Sequence, residues 1–351
     1  MLKFFIEGNS PAKNMPFKLE ALHSDNLENR KGYNSRFLGT IVPLPLVADS
    51  LKDDIAVLQK EIGKNGDHVL DYTHFSVVLS KSMKMPYYTA VNIDGVTNLM
   101  NMVHDARGSD AWFADPRIIQ GTNKFQYSNK EYEGSGFQKG HMVRYFDPAW
   151  GSTALEKKQA MGDTFHFSNC CPQLPYYNSV VWNYLEDYYL ARAIFQDKKI
   201  TVFTGPVFNK AQRINGLLVP VNFWKVVVYK TKTGISAMGL IMSQEKYFDR
   251  LKAKSMLPDG MIPAQALTKD SIDKLYSKKE LIDAKVKISL IEEKTNIRFG
   301  LNEVDEKKDH AKLDIEVINP SSHLPLNAQA SIKEMPDKRQ QKKLQDFFEA
   351  I

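Results

Sequence analysis

A histidine and an asparagine stand in two segments whose residue types suit the hydrolysis of phosphodiester bonds. His141 follows a glycine within the segment 134–151, and Asn178 opens a helical pattern within the segment 163–192. Histidine is the side chain whose ordinary pKa lets it take a proton from water near neutral pH. An asparagine amide oxygen suits Mg²⁺, which prefers oxygen ligands and often takes only one or two of them from the protein. The pair therefore predicts a base and a metal ligand.

Spacing along the second segment adds a carboxylate to this pair. Asn178, Trp182 and Glu186 recur at intervals of four, which places them along one face of an α-helix. Trp182 is expected to anchor that helix in the core, while the other two project at the same edge. Hydrolysis also needs positive groups to hold the phosphate, and Lys139 and Arg144 are the nearby candidates. Each signal is weak by itself, because such residues are more often structural or at the surface.

Taken together, the two segments resemble the DNA/RNA non-specific endonucleases of the ββα-metal class. The shared pattern is Gly-His, then Asp-Thr-Phe-x-x-Ser-Asn-x-x-Pro-Gln, then Asn-x-x-x-Trp-x-x-Leu-Glu. It occupies Gly140-His141, Asp163–Phe165, Ser168-Asn169, Pro172-Gln173, Asn178, Trp182 and Leu185-Glu186. Further segments similar to that family follow in the same order, at 72–95, 203–208, 219–227 and 289–299. The resemblance covers roughly residues 33–300.

The resemblance implies a role for each matching residue. His141 would be the general base that activates water, with the positive charge of Lys139 beside it in the catalytic set. Asn178 would be the single direct protein ligand of Mg²⁺, for which Mn²⁺ is the expected substitute. Glu186 would hold metal-bound water, and Asn169 would stabilise the backbone of the site or orient a neighbouring group. The resemblance also implies products with 5′-phosphate ends.

The sequence departs from the family pattern at two places. Gln138-Lys139 stands where the best-known motif has Asp-Arg, so the carboxylate and the bidentate guanidinium are lost while one positive charge is kept. Leu190 stands where the family tends to carry an arginine, and Arg192, two residues further on, is the candidate to bind substrate instead. Arg107 is another candidate for contacting phosphate.

The elements that must position these residues are typical of an α+β fold. Strand patterns occur at 75–80, 87–93, 141–146, 163–168, 200–205, 222–229 and 235–242. Helix patterns occur at 154–161 and 179–196, and a further helix is predicted from Ser289, where Ser289 and Glu292 match a capping box. The sequence therefore predicts a mixed, mainly antiparallel central sheet with flanking helices. The resemblance adds a ββα-metal motif at the active site.

Composition divides the chain of 351 residues into three parts. Residues 1–34 are polar and form an expected N-terminal extension. Residues 35–301 form the expected endonuclease domain, because the hydrophobic fraction of 43% allows a sizeable core. Residues 302–351 form a charged C-terminal extension that ends in an amphipathic helix. The apolar positions of that helix are Leu344, Phe347, Phe348 and Ile351.

Charge and targeting signals limit the class of protein further. The net charge of +6 fits a polyanionic partner without requiring one. The start of the sequence has no apolar stretch of signal-peptide length, and no run of about 18 apolar residues occurs. We therefore expect no membrane span, and a location in the cytoplasm or export without a cleaved signal peptide. No Walker A or dinucleotide-binding fingerprint appears, so an NTPase or a dehydrogenase has no support.

Two other functions compete with that of a nuclease. A zinc site from His166, Cys170 and Cys171 lacks the usual spacing of cysteine ligands, and adjacent cysteines rarely form a disulfide with each other. The stronger rival is a catalytically silent nucleic-acid-binding protein on the same fold, which the change to Gln138-Lys139 motivates. Retention of the proposed base and metal ligands favours the enzyme, because binding alone needs none of them.

DNA and RNA are the expected partners. A site built around a metal, a phosphate and a base contacts the backbone, which carries no sequence information, so weak discrimination is expected. The resemblance suggests a homodimer. A regulatory or inhibitor protein is a further hypothesis, because a non-specific nuclease without a signal peptide endangers its own cell.

Overall fold

The protein is built around one large sheet, with short strands and helices on both of its faces. The computed structural model describes residues 26–58, 68–98, 111–118, 125–183, 185–186, 189–190, 193, 198–232, 234–248, 284–301 and 305–306. The strands are β1 (Leu46–Val47), β2 (Leu70–Asp71), β3 (Phe75–Leu79), β4 (Pro86–Asp94), β5 (Gln138–His141), β6 (Cys170–Gln173), β7 (Lys199–Val207), β8 (Gln212–Ile214), β9 (Leu217–Val219), β10 (Asn222–Lys230), β11 (Ile235–Ser243), β12 (Lys285–Val286), β13 (Ile297–Arg298) and β14 (Asp305–Glu306).

Helical segments are short within the described residues. The α-helices are α1 (Asn129–Tyr132), α2 (Ala154–Asp163) and α3 (Ile288–Thr295). A π-helix covers Tyr177–Trp182, and 3₁₀ turns cover Asp49–Asp54, Phe167–Asn169, Phe208–Lys210 and Glu245–Tyr247. In the part of the chain that the structure describes, no helix has the length and apolar character needed to cross a membrane.

The large sheet is almost entirely antiparallel, as the sequence predicts. Its strand order is β12-β11-β10-β7-β4-β3-β2, and β14 pairs in parallel with β11 at one edge. β7 lies at the centre, where Thr204 is opposite Thr89 of β4 and Lys225 of β10. The chain leaves the sheet after β4 and returns at β7, so the residues between them are free to build a separate layer on the sheet.

Side chains along the central strands alternate between the two faces of the sheet, and each face carries one apolar cluster. Phe223 and Val227 of β10 join the cluster on one face, while Trp224 and Val226 join the cluster on the other. Successive side chains of a strand point to opposite faces, so Lys225 shares the face of Phe223 and Val227. A charged side chain therefore lies in the layer between the sheet and the segment that follows β4.

Residues 26–34 pack as part of this domain, although composition assigns them to an N-terminal extension. Arg30 makes a bidentate ion pair with Asp163 at the end of α2, with nitrogen-to-oxygen distances of 2.8 and 3.0 Å. Leu27 and Tyr33 are buried in the two core clusters. The described residues 26–34 of the predicted extension therefore pack with the domain. Residues 1–25 and the predicted C-terminal helix lie outside the described residues.

The predicted strands at 75–80, 87–93, 200–205, 222–229 and 235–242 are confirmed, and two others are wrong. The strand expected at 141–146 is β5, which ends at His141 and is followed by turns. The segment 163–168 contains the last residue of α2, a turn and the start of a 3₁₀ turn. Both segments are buried, and their apolar residues are explained by that burial. A short apolar run alone does not distinguish a strand from other buried structure.

The helix predictions hold in position and differ in detail. The helix expected at 154–161 is α2, which is confirmed. α3 is preceded by Lys287 as N-cap, and no capping side chain is bonded there, so the predicted capping box at Ser289 is wrong. The Glu292 carboxylate instead accepts a hydrogen bond from the backbone N–H of Phe299 at 2.9 Å. The helix expected at 179–196 begins as the π-helix.

Candidate active site

The two segments that carry the sequence pattern fold into a ββα unit. β5 and β6 form an antiparallel two-stranded ribbon, in which His141 is opposite Cys170 and Gln138 is opposite Gln173. Leu174 separates β6 from the helix, which begins with α-helical residues 175 and 176, continues as the π-helix and extends beyond Trp182 at the described positions. The whole unit is inserted between β4 and β7 and packs on one face of the large sheet.

Gly140 is needed because a side chain at this position would collide with the neighbouring strand. A Cβ atom on Gly140 would lie 1.9 Å from Oε1 of Gln173, which is fully buried. The close approach of β6 therefore restricts position 140, directly before the predicted base, to glycine. This explains in physical terms why glycine precedes His141.

We expect the Gly140→Ala variant to lose stability, since the buried Gln173 has to move to make room. Overpacking of this kind costs about 1–3 kcal/mol. Urea unfolding measures this loss of stability in three variants: Gly140→Ala, Gln173→Ala and the double variant. The double variant should unfold at a urea concentration close to that of Gln173→Ala alone. Equal stability of Gly140→Ala and wild type would refute the close approach.

His141 lies in an aromatic pocket at the end of β5. Its ring centroid is 4.5 Å from that of Trp112 and 5.0 Å from that of Phe165, which meets it edge-on. Thr164 Oγ1 lies 3.4 Å from Nε2 of the imidazole. The residue is only 8% exposed. These contacts limit the rotation of the ring, as a base that must meet water at one angle requires.

Asn169 holds the backbone immediately after His141. Its Oδ1 accepts a hydrogen bond from the N–H of Val143 at 2.8 Å. Its Nδ2 donates to the carbonyl oxygens of Val143 and Thr164 at 3.0 and 2.9 Å. A buried amide bonded at both ends ties the chain after β5 to the turn that carries Thr164. This is the backbone-stabilising role expected for Asn169.

Lys139 and His141 project from the same side of β5, because they are two residues apart on a strand. The Lys139 Nζ lies 5.9 Å from the centre of the Trp112 ring, which also contacts His141. Nζ donates a hydrogen bond to Oδ1 of Asn129 at 2.7 Å. The structure therefore brings the predicted positive charge and the predicted base together around one tryptophan.

Asn178 lies at the start of the π-helix and contacts the other end of β5. Its Nδ2 donates a hydrogen bond to Oε1 of Gln138 at 2.8 Å, and its backbone N–H donates to the carbonyl of Leu174, also at 2.8 Å. An amide whose nitrogen faces Gln138 turns its oxygen the other way. A half-buried amide oxygen of this kind fits Mg²⁺, which keeps most of its ligands as water.

Glu186 is buried and ion-paired with a residue that sequence reasoning missed. The Lys225 Nζ lies 3.1 Å from Oε1 of Glu186 and donates to Oγ1 of Thr204 at 3.0 Å. The ammonium is also 4.5 Å from the centre of the Trp182 ring. Lys225 is fully buried, while Glu186 is 4% exposed. A signal for it exists in the sequence, where a lysine occupies an inward position between Phe223 and Val227.

Two more charged residues lie close to this pair. Asp147 is fully buried, and burial together with the Glu186 carboxylate raises its pKa to about 7, while Lys225 and Arg144 act in the opposite direction. The backbone N–H of Arg144 donates to Oδ2 of Asp147 at 3.3 Å. Arg144 is 9% exposed. Its predicted contact with phosphate stays a prediction, and burial beside the Asp147 carboxylate gives its charge a structural role as well.

Stability should depend on pH through Asp147. Its pKa in the folded protein is above the ordinary value of about 3.9, so the folded state binds more protons between about pH 4 and pH 7. The stability that Asp147 contributes is therefore full below this window and is lost as the pH rises through it.

In the Asp147→Asn variant, the slope of the free energy of unfolding against pH should be smaller by about 1 kcal/mol per pH unit. Urea unfolding at several pH values between 4 and 8 measures the slope, with the exposed Asp53→Asn as a control. Parallel curves for wild type and Asp147→Asn would contradict the assignment.

The zinc alternative finds no support in the geometry. Within the described residues, no group of three or more His, Cys, Asp and Glu side chains could hold a metal ion. Both cysteines are buried free thiols. Burial raises the pKa of Cys170 to about 12 and raises that of Cys171 as well, whereas a zinc ligand must be a thiolate. The predicted substrate-binding residues Arg107 and Arg192 lie outside the described residues.

The ββα unit, with a histidine on its first strand and an asparagine at the start of its helix, is the arrangement of the ββα-metal class. A sequence model of the DNA/RNA non-specific endonucleases matches residues 55–306. The chain belongs to the DNA/RNA non-specific endonuclease family.

The chain is also similar to individual proteins, two of which are named as nucleases. An uncharacterized protein, y4fB of Sinorhizobium fredii, is 36% identical over 241 residues, which cover 64% of this chain and 35% of that protein. Human mitochondrial endonuclease G is 31% identical over 121 residues, or 30% of this chain and 38% of that protein. The mitochondrial nuclease of Saccharomyces cerevisiae is 24% identical over 215 residues, or 55% and 60%. The chain thus spans 35–38% of the length of the first two relatives.

A solved structure of an EndoG/EndoGI complex also contains a similar chain. The TM-score is 0.46 at 17% sequence identity, covering 67% of this chain and 86% of that chain.

Proposed function

We propose that the protein is a Mg²⁺-dependent endonuclease that hydrolyses phosphodiester bonds of DNA and RNA without sequence preference and leaves 5′-phosphate ends. The observation that carries this proposal is the ββα unit itself. One short strand presents His141 and Lys139 beside Trp112, and Gln138 of the same strand holds Asn178. Membership of the family supplies the substrate class.

The residues divide the chemistry between strand and helix. His141 takes a proton from the attacking water, and Lys139 places a positive charge next to it, where a phosphate oxygen gains negative charge in the transition state. Asn178 would hold Mg²⁺ directly, and Glu186 would hold a water of that ion. Bound there, the metal would neutralise charge on the phosphate and the leaving oxygen. Mn²⁺ is the proposed substitute.

Weak sequence preference follows from what these groups contact. A base, a positive charge and a metal ion engage the phosphodiester backbone, which is the same for every sequence. The net charge of +6 favours binding to either nucleic acid and makes that binding sensitive to salt. A homodimer and an inhibitor protein remain predictions, as does a location outside membranes.

Cleavage of supercoiled plasmid and of single-stranded RNA tests the proposal. We expect both to be cut with Mg²⁺, neither to be cut with EDTA, and product ends to accept a labelled 5′-phosphate only after phosphatase treatment. A well-folded protein that binds both nucleic acids in a salt-dependent way and cuts neither would instead be the silent binder. Cleavage that persists in EDTA would refute the metal dependence.

A further inference from the structure

We propose that Gln138 is a positioning residue that sets the orientation of the Asn178 amide, so that the oxygen and not the nitrogen faces the metal. The inference rests on the proposed function and deepens it. Gln138 is one of the two residues that differ from the Asp-Arg of the best-known family motif. The hydrogen bond between Gln138 and Asn178 gives that departure a physical meaning.

The orientation of an asparagine amide decides whether it can bind a cation. The two ends of the amide have nearly the same size and shape, but the oxygen accepts and the nitrogen donates. A cation binds only the oxygen end. Rotation of Asn178 by a half-turn about its Cβ–Cγ bond would present N–H groups to the metal and repel it.

Gln138 opposes that rotation through its own oxygen. Oε1 of Gln138 accepts a hydrogen bond from Nδ2 of Asn178 at 2.8 Å and another from Oγ of Ser179 at 3.1 Å. Two donors on adjacent residues of the helix therefore meet one acceptor on β5. A half-turn of the Asn178 amide alone would bring its oxygen against this acceptor, and the hydrogen bond would be lost. To keep a bond to Asn178, the Gln138 amide would have to turn as well and give up the hydrogen bond that it accepts from Ser179.

The backbone around the metal ligand is held as well. The N–H of Asn178 donates to the carbonyl of Leu174 at 2.8 Å, so the position of the residue is set by the first turn of the helix that follows β6. The side chain stays half-buried and only its nitrogen end is committed to Gln138. Position is thus fixed by the main chain, and orientation by Gln138.

The departure from the family pattern is compatible with this role. An aspartate, as in the best-known motif, is an acceptor, and glutamine keeps an acceptor while it loses the negative charge. The positioning function therefore survives the change, whereas the electrostatic attraction for a cation is reduced. Glutamate at this position should restore the charge and keep the acceptor.

Direct binding of Mn²⁺, followed by electron paramagnetic resonance on the full chain without nucleic acid, separates these effects. We expect Gln138→Met, which keeps the length but has no acceptor, to weaken Mn²⁺ binding about tenfold, as is usual for residues that orient a metal ligand. Gln138→Glu should bind Mn²⁺ at least as tightly as wild type. Gln212→Met, at an exposed glutamine that also begins a strand, is the matched control and should change nothing.

A double-variant cycle decides whether Gln138 acts through Asn178. In an Asn178→Asp background, whose carboxylate presents an oxygen whichever way it is turned, Gln138→Met should cause no additional loss of Mn²⁺ affinity. In cleavage assays, Gln138→Met should lower kcat at limiting Mg²⁺ with an unchanged KM for DNA, and higher Mg²⁺ should restore it. A merely structural role would not be rescued by metal.

Each outcome has a defined meaning. Mn²⁺ binding that depends on Asn178 and is the same in wild type and Gln138→Met would overturn this inference and leave the proposed function standing. An equal loss from Gln138→Met in the wild-type and Asn178→Asp backgrounds would also overturn it. Mn²⁺ binding that ignores Asn178→Ala would overturn the metal assignment of the proposed function, and this inference with it.

Discussion

The His141→Ala variant is expected to lose cleavage of DNA and RNA by about 10²- to 10⁴-fold in kcat, the range that a general base contributes. The imidazole is the proton acceptor in the proposed reaction, and its ring is held between Trp112 and Phe165. Alanine leaves that pocket in place but empties it. Plasmid nicking under saturating Mg²⁺, compared with wild type at the same protein concentration, measures the effect.

Three controls separate lost chemistry from lost structure. His68 is exposed, and His68→Ala should cut normally. His141→Ala should bind Mn²⁺ as wild type does, because Asn178 is untouched. Added imidazole should restore part of the activity of His141→Ala, since it can occupy the emptied pocket and take the proton. Activity within tenfold of wild type, or an equal loss in His68→Ala, would remove His141 from the role of base.

The strands of the large sheet can be predicted from the sequence. The elements of the layer between β4 and β7, which carries the candidate site, are harder to predict. β3, β4, β7, β10 and β11 are long, rich in β-branched and aromatic residues, and bounded by turn residues, so their patterns predict strands. In the site layer, short elements are buried from all sides by the aromatic core. The number of apolar residues in such a segment then reflects its burial and does not indicate a strand. The strand predictions at 141–146 and 163–168 are wrong for this reason.

Helical spacing linked three predicted site residues, but the helix that carries them differs from the one expected. Asn178, Trp182 and Glu186 recur at intervals of four, which an α-helix would place on one face. The structure has a π-helix over Tyr177–Trp182, with a wider turn than an α-helix. Asn178 accordingly reaches Gln138 at the strand, while Glu186 is buried against Lys225. Sequence spacing contains no local signal for such a wider turn.

Contacts between distant segments are the part that sequence reasoning does not supply. Lys225 pairs with Glu186, 39 residues earlier in the chain, and Arg30 pairs with Asp163, 133 residues away. Each residue alone has the appearance of an ordinary surface charge. Only the folding of the segment after β4 onto the sheet shows that these charges are buried, and that they must therefore be paired.

Lys225→Met should be the most destabilising of the changes considered at the site. Methionine is of similar length and fits an apolar layer, but it leaves the Glu186 carboxylate buried without its ammonium partner. Removing one partner of a buried ion pair costs about 3–5 kcal/mol. The loss of the Lys225 charge also raises the pKa of the nearby Asp147 further, because that charge acts against the burial. Urea unfolding measures the cost.

The double variant Lys225→Met/Glu186→Gln distinguishes a stabilising pair from a catalytic carboxylate. Glutamine is close to glutamate in shape and is uncharged, so the double variant should recover much of the stability lost in Lys225→Met, since a buried amide without a partner costs less than a buried carboxylate without one. Cleavage should stay low, because Glu186 is the residue proposed to hold metal-bound water. Full cleavage by a stable double variant would confine Glu186 to a structural role. A double variant as unstable as Lys225→Met would show that the cost comes from the lysine's bonds to Thr204 and its packing on Trp182, and not from the ion pair.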